Sequence, residues 1–297
     1  MKNNDFDVVI CVAAKDNLIV RTTIKLVSLN INPTNIYILT KPQYILFYRD
    51  LLKKYNVIVL DEDKVVPNLT FSSLDQTIKN RLGIPLRTGW YFQQFLKMGF
   101  ATSHYARNYY LIWDADTLPV NCLTFFDNEH PLFTMKTEFH KPYFDTLLKL
   151  INIDKIAPFS FIAEHMLVNV KIMNELITKI GNEKIFSDKW YKKIINSINP
   201  NEEYGFSEFE TYGTYTTVNY PKLYLNRELN TRRDGGYEFG RVVFPSDIKV
   251  MSRNLYDTVS LEPAHKPKYW KRQFQLIIKI ILYLINYTLD FFSKIGK

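Results

Sequence analysis

Two carboxylates one residue apart, Asp114 and Asp116, close an apolar run that reads LIWDADTLPV from Leu111 to Val120. The run suits a buried strand. On an extended backbone side chains two apart point the same way, so both carboxylates are expected to face one small volume at the strand's carboxyl end. In an open α/β sheet that edge is where ligands bind. Two anionic oxygen donors aimed at one point repel unless a cation or a proton lies between them, and Mg²⁺ or Mn²⁺ carrying a phosphorylated ligand meets that need. Pro119 is expected to end the strand, because it has no N–H to give a ladder. Asp-x-Asp pairs also sit in solvated turns and helix caps, and the apolar run before this one with the proline after it sets it apart.

Strands and helices must alternate for such an edge to exist, and the amino-terminal third has that pattern. Residues 6–14 read as a first strand, a helix runs from Asp16 or Asn17 to Ile31, and residues 35–40 read as a second strand. Lys41-Pro42 opens another helix, and a third strand, residues 56–60, runs into Asp61-Glu62-Asp63, taken as a solvated strand end. This βαβαβ order predicts an α/β fold with a mainly parallel central sheet. No G-x-G-x-x-G loop follows the first strand, which removes the best support for a dinucleotide cofactor or a P-loop. In its place stand Ala13-Ala14-Lys15-Asp16. Small Ala14 lets a ligand approach the backbone, Lys15 could meet a diphosphate, and Asp16 could bind a base or ribose; equally, Asp16 could cap the helix and Lys15 be solvated.

Helical patterns follow at 72–82 and, after Gly83, Pro85 and Gly89, at 90–101, where Trp90, Gln93, Gln94 and Lys97 make a polar seam. Beyond the carboxylate pair, residues 131–135 look extended and 141–151 helical. Residues 159–170, FSFIAEHMLVNV, look like a buried strand or turn containing Glu164 and His165, and a histidine in such a run is usually a hydrogen-bonded core residue. Two helices, 172–180 and 187–198, precede EYGFSEFETYGTYTT (203–217). There Ser207 is a good N-cap with Glu210 three residues on, so a capping box accounts for Glu210, whereas Glu208 has no such account. NTRRDGG (230–236) has the composition of a mobile loop whose Arg232 and Arg233 could close over phosphates or be solvated, and 242–244 and 248–251 read as late strands.

The GWYFQQFLK helix (89–97), the DxD strand, the His165-Met166 pair and the SEFETYG segment (207–213) together make residues 5–265 similar to a little-characterised bacterial glycosyltransferase family. The strand-DxD-x-x-P arrangement resembles the metal-binding motif of GT-A glycosyltransferases, whose donors are nucleotide sugars. The resemblance implies a GT-A-like, Rossmann-type nucleotide-sugar-binding domain. It implies Asp114 and Asp116 as metal and donor ligands, a UDP-sugar or similar donor, and Gln94 and Lys97 meeting the diphosphate or bracing the aspartates. Glu164 and His165 would contact the acceptor, a glycan or glycolipid. Glu208, with Glu210 second, would take the acceptor proton. His265, after Glu262-Pro263-Ala264, lies where GT-A enzymes often place a third metal ligand.

Composition narrows the setting. With 46% apolar residues, 21 Phe and 20 Tyr, 297 residues bury a substantial core. The two cysteines, Cys11 and Cys122, are expected as small buried hydrophobes without a disulfide. An apolar run at residues 8–14 behind Asp5 and Asp7 reads as a strand and not a signal-peptide core, so the expected setting is cytoplasmic. Of the net charge of +8, residues 266–297 carry +6, so a nucleic-acid footprint over residues 1–265 is not expected. The tail combines Lys266, Lys268, Trp270, Lys271 and Arg272 with an apolar stretch at 276–292 crossed by one polar stripe. That is short of the roughly 20 apolar residues a bilayer span needs. The expectation is a catalytic domain, 1–265, and a basic amphipathic tail, 266–297, lying on an anionic inner membrane face, with docking on the body or in a homodimer as the alternative. Nucleotidyl or phosphoryl transfer, and a non-catalytic membrane-docked scaffold, are the alternatives in function.

Overall fold

The computed structural model describes residues 5–82, 87–265 and 277. The amphipathic tail expected at 266–297 lies outside the described residues, apart from residue 277. The strands are β1 (Asp7–Cys11), β2 (Ile36–Thr40), β3 (Val57–Asp61), β4 (Tyr109–Trp113), β5 (Thr117–Pro119), β6 (Phe126–Asp127), β7 (His130–Thr134), β8 (His165–Asn169), β9 (Leu225–Arg227), β10 (Thr231–Arg232) and β11 (Thr258–Ser260). The helices are α1 (Ile19–Asn30), α2 (Arg49–Leu52), α3 (Glu62–Val65), α4 (Phe71–Leu82), α5 (Thr88–Gly99), α6 (Lys141–Ile151), α7 (Val170–Asn182), α8 (Trp190–Ser197), α9 (Glu208–Asn219), α10 (Gly236–Phe239) and α11 (Pro245–Arg253).

A five-stranded sheet in the order β3-β2-β1-β4-β8 forms the centre, parallel except for β8, which pairs antiparallel with β4. This is the α/β class with a mainly parallel sheet that the alternation predicts. Period-two alternation splits the strands between two cores. Val9, Tyr37, Leu39, Tyr110, Ile112, Met166 and Val168 face one core; Val8, Ile10, Ile36, Ile38, Leu111, Trp113 and Leu167 face the other. Strands buried on both faces read as continuous apolar runs, as β1, β2 and β4 do. On the second face, α1 supplies Val20, Ile24 and Val27, one helical stripe continued by its C-cap Ile31. Helices α4 to α9 fill the first. In α9, Gly213 is required: a Cβ there would lie 2.3 Å from the Phe161 ring.

Two smaller sheets, β10-β11-β5 and β6-β7-β9, extend the molecule beyond β4. The short strands expected at 242–244 and 248–251 are not formed. Residues 245–253 are helix α11, with Pro245 in the first turn and the Asp247 carboxylate accepting from Phe244 N at 3.0 Å. Cys122 is exposed, contrary to its expected burial, and Cys11 is partly buried; both are free.

Candidate active site

The carboxyl ends of β1, β2 and β3 open onto a cavity of about 450 Å³. After Cys11 the chain passes along its wall as Val12-Ala13-Ala14-Lys15-Asp16, held by Thr40 Oγ1, which donates to Val12 O at 2.9 Å. Ala14 and Lys15 are exposed on this wall. Asp16 is buried and does not cap α1, which begins at Ile19 without a side-chain cap; its carboxylate is taken by Arg241, a partner 225 residues away that the sequence did not suggest. Lys41, Tyr44 and Glu62 line the same cavity from behind β2 and β3, opposite Trp90, Phe92 and Gln93 of α5. Glu62 was expected in solvent; instead burial, then Asp63 beside it, pushes its carboxyl up to about 7.

The aspartate pair lies beside this edge, in a tighter turn than an extended strand would make. β4 stops at Trp113, Thr117 N donates to Asp114 O at 3.2 Å, and the chain leaves in β5 as part of a different sheet. Pro119 is therefore inside β5, paired with Thr258, and what ends β4 is this turn. Many contacts fix the turn: Asp114 N donates to Glu164 O at 3.0 Å, Leu261 N to Asp116 O at 2.9 Å, and Thr23 Oγ1 on α1 to Ala115 O at 2.8 Å. Burial, followed by the charges of Asp114 and Asp16, pushes the Asp116 carboxyl up to about 6, against the pull of Arg241. The turn thus gathers negative charge that the chain's own cations only partly offset, as a hard divalent cation with oxygen ligands requires.

Asp114 is bound to the opposite side of the site through Lys97. This lysine, 3% exposed in the last turn of α5, donates to Asp114 Oδ1 at 2.7 Å and to Glu208 Oε1 at 2.9 Å. Burial opposes its charge, but the two carboxylates outweigh that and hold the ammonium well above its ordinary value. Gln94, one turn before, accepts from Glu208 N at 3.0 Å, so α5 holds the first residue of α9 by side chain and by backbone. Burial is also the main cause raising the Glu208 carboxyl, with Lys97 acting against it. Ser207 caps α9, accepting from Glu210 N at 3.3 Å, but only half of the capping box forms. The Glu210 carboxylate turns away, accepting from Phe161 N at 3.2 Å and from the Ser160 hydroxyl, with Lys155 Nζ at 3.7 Å.

The remaining residues singled out in the sequence spread around this centre. Glu164 is buried just beyond the aspartates, in the left-handed region at φ 59°, and burial pushes its carboxyl up to about 7. Arg233 lies 3.6 Å from it and 2.9 Å from Glu262, and also pairs with Glu138. Arg232 belongs to β10 and donates to Glu238 at 2.6 Å and Asp234 at 3.1 Å, so both arginines are held by carboxylates. His165 stands inside the sheet opposite Trp113, its ring stacked on that indole at 5.0 Å and its Nε2 3.0 Å from Thr134 Oγ1. Burial holds it well below its ordinary value, as a neutral ring in a core position. His265 packs on Tyr237, ring centroids 4.4 Å apart. Among the described residues no three His, Cys, Asp or Glu side chains are grouped to hold a metal ion, so Asp114 and Asp116 are the pair that fits one, with the rest of its shell left to a ligand and water.

No protein-family model matches the chain, and no curated protein matches its sequence. Among solved structures it is similar to the galactosyltransferase LgtC in complex with donor and acceptor sugar analogs, at 12% identity over 88% of each chain with a TM-score of 0.42. It is similar to the glycosyltransferase GlyE of Streptococcus pneumoniae, at 14% identity over 88% of this chain and 55% of that one, TM-score 0.39. A third is core-mannan synthase A from Aspergillus fumigatus in its Mn/GDP form, at 9% identity over 67% and 71%, TM-score 0.38.

Proposed function

We propose that the chain is a GT-A-type glycosyltransferase that moves a sugar from a nucleotide-sugar donor to a glycan or lipid-linked acceptor of the cell surface, such as lipopolysaccharide or capsule. The observation that carries this reading is the buried ammonium of Lys97, which ties Asp114, on the donor side, to Glu208, at the start of the helix on the other side. The cavity under Ala14, Lys15 and Asp16 receives the nucleoside, and Lys15 at its rim meets the diphosphate. Asp114 and Asp116 are the residues that would hold Mg²⁺ or Mn²⁺, without His265, which packs on Tyr237 and is not grouped with them; when bound, the ion offsets negative charge on the departing diphosphate. Lys97 and Gln94 fix where Glu208 sits, and Glu208 takes the proton of the acceptor hydroxyl, with Glu210 the second carboxylate for that role. Glu164 shapes the acceptor side, behind which His165 is a buried support stacked on Trp113, and Arg232 and Arg233 border the phosphates.

The test is incubation with Mn²⁺ or Mg²⁺ and a panel of nucleotide sugars. Release of nucleoside diphosphate with free or transferred sugar supports the reading; release of pyrophosphate points to nucleotidyl transfer, and no turnover to a non-catalytic scaffold. Among the described residues no helix is long and apolar enough to cross a membrane. The proposed attachment is peripheral, through the basic tail on the inner leaflet. Removing residues 266–297 should abolish sedimentation with anionic vesicles, since basic residues near such a surface contribute about 1 kcal/mol each, while turnover of donor persists. An intact chain that ignores vesicles, or a truncated one that aggregates, would favour a docked tail or a dimer seam instead.

A further inference from the structure

The acidic trio after β3 divides sharply. Asp61 accepts from Asp63 N at 3.2 Å and pairs with Lys64, and Asp63 accepts from Phe71 N at 2.7 Å. Glu62 between them turns inward, buried in the wall of the cavity, and its carboxylate takes no hydrogen bond from the described residues. A buried carboxylate without donors is costly to keep and suits a ligand that brings its own. Around it the cavity is aromatic, with Tyr44, Phe71, Trp90 and Phe92, and its volume is that of an ordinary small-ligand pocket. Of the cations lining the cavity, Lys15, Lys41 and Arg87, Lys41 acts electrostatically on Glu62, and it lies over the Phe71 ring at 5.5 Å.

Sheet order sets the distance to the other end of the site. Glu62 follows β3 and Asp114 follows β4, three strand intervals apart in the order β3-β2-β1-β4, which is about 14 Å at the usual spacing. That is comparable to the reach of an extended nucleoside diphosphate, with its base at one end and its terminal phosphate at the other. Resting on the nucleotide-sugar reading, we infer that Glu62 is the residue that selects the donor's base, and that the base is guanine. Ionised, the form that two N–H donors and the neighbouring Lys41 favour, the Glu62 carboxylate offers two acceptor oxygens and no donor. Guanine presents two adjacent N–H groups on its pairing edge, N1–H and the 2-amino group, beside the O6 acceptor that Lys41 can meet. Uracil presents one N–H flanked by two carbonyls, and adenine and cytosine each present one amino group beside a ring nitrogen lone pair. Each of these leaves a carboxylate oxygen facing a lone pair.

The experiment is calorimetric titration of the full chain, with Mn²⁺ present, by GDP, UDP, ADP and CDP, on wild type, Glu62→Gln and Lys41→Met, with a thermal melt of each. The expected result is that GDP binds wild type at least about tenfold more tightly than the other three, because the others leave a buried polar atom unpaired. Glu62→Gln should lower GDP affinity by about tenfold or more and leave UDP nearly unchanged, and Lys41→Met should weaken GDP without removing the buried carboxylate. Tightest binding of another base, or an equal loss for all four in Glu62→Gln, overturns the assignment to Glu62 and leaves the nucleotide-sugar reading standing. Failure of wild type to bind any of the four overturns both. The wild-type ranking decides the question even where a variant does not fold.

Discussion

The two ends of the central sheet treat buried acid in opposite ways. At the amino end Asp7, 1% exposed, is saturated: Arg107 donates to it at 2.9 and 3.0 Å, and Asn35 donates through its backbone at 3.1 Å and its side chain at 2.9 Å. At the carboxyl end Asp116, Glu62 and Glu164 are each pushed up by burial, and the chain supplies them with few donors. A charge that the fold satisfies is part of the fold. Charges left short of partners at one edge mark where something from outside completes the electrostatics.

The variants that test this contrast most severely are Asp114→Asn and Asp116→Asn. Each should end metal-dependent binding of nucleotide sugar, read by titration, while the melt of Asp116→Asn is unchanged or raised, because a carboxyl crowded by Asp114 and Asp16 is gone. Unaltered metal dependence in both variants would remove the pair from the mechanism. Glu208→Gln should lower kcat by about 10²–10⁴-fold with little change in donor KM. Should Glu210→Gln produce that loss instead, the roles of the two carboxylates are exchanged.

At the opposite end Asp7→Asn should do the converse. It should cost about 1–3 kcal/mol in urea unfolding by leaving Arg107 short of a partner, and leave donor affinity of the folded protein as it was. The smallest effect concerns pH. Because Glu62 is raised from 4.5 to about 7, the folded protein holds its proton more tightly than the unfolded chain, so stability is full below about pH 4.5 and falls as pH rises toward 7. Glu62→Gln should flatten the stability profile in that window, and an unchanged profile would show that the carboxylate has partners in solution.

What the sequence discloses follows from how local each signal is. The runs at β1, β2 and β4 are apolar because both faces are covered, and the helices at 72–82, 90–101 and 141–151 carry their own periodicity; all are found within a few residues of where they are expected. Helix α11 departs from the expected strands because Ile248, Val250 and Met251 mimic alternation, while only Met251 is buried and the informative residues are Pro245 and Asp247. Glu62 was hidden by two exposed-looking neighbours, and only the cavity distinguishes it. Pairings such as Lys97 with Glu208, 111 residues apart, or Asp16 with Arg241, leave no spacing to read. The aspartate pair was found by its type, but its geometry was not, because the turn that shapes it is held by residues 164 and 261.

That turn joins two sheets, and it sets a schedule for synthesis. The backbone of Asp116 is held by Leu261 N, and Thr117 shares a hydrogen bond of 2.8 Å with Ser260, 143 residues later. β5 has its partner only when β11 is present. A nascent chain can assemble β1 to β4 early, with the parallel core and its cavity, yet the aspartates take their final positions only after residues 258–261 have left the ribosome. Nucleoside binding and metal-dependent donor binding should therefore appear at different chain lengths, the first well before the second.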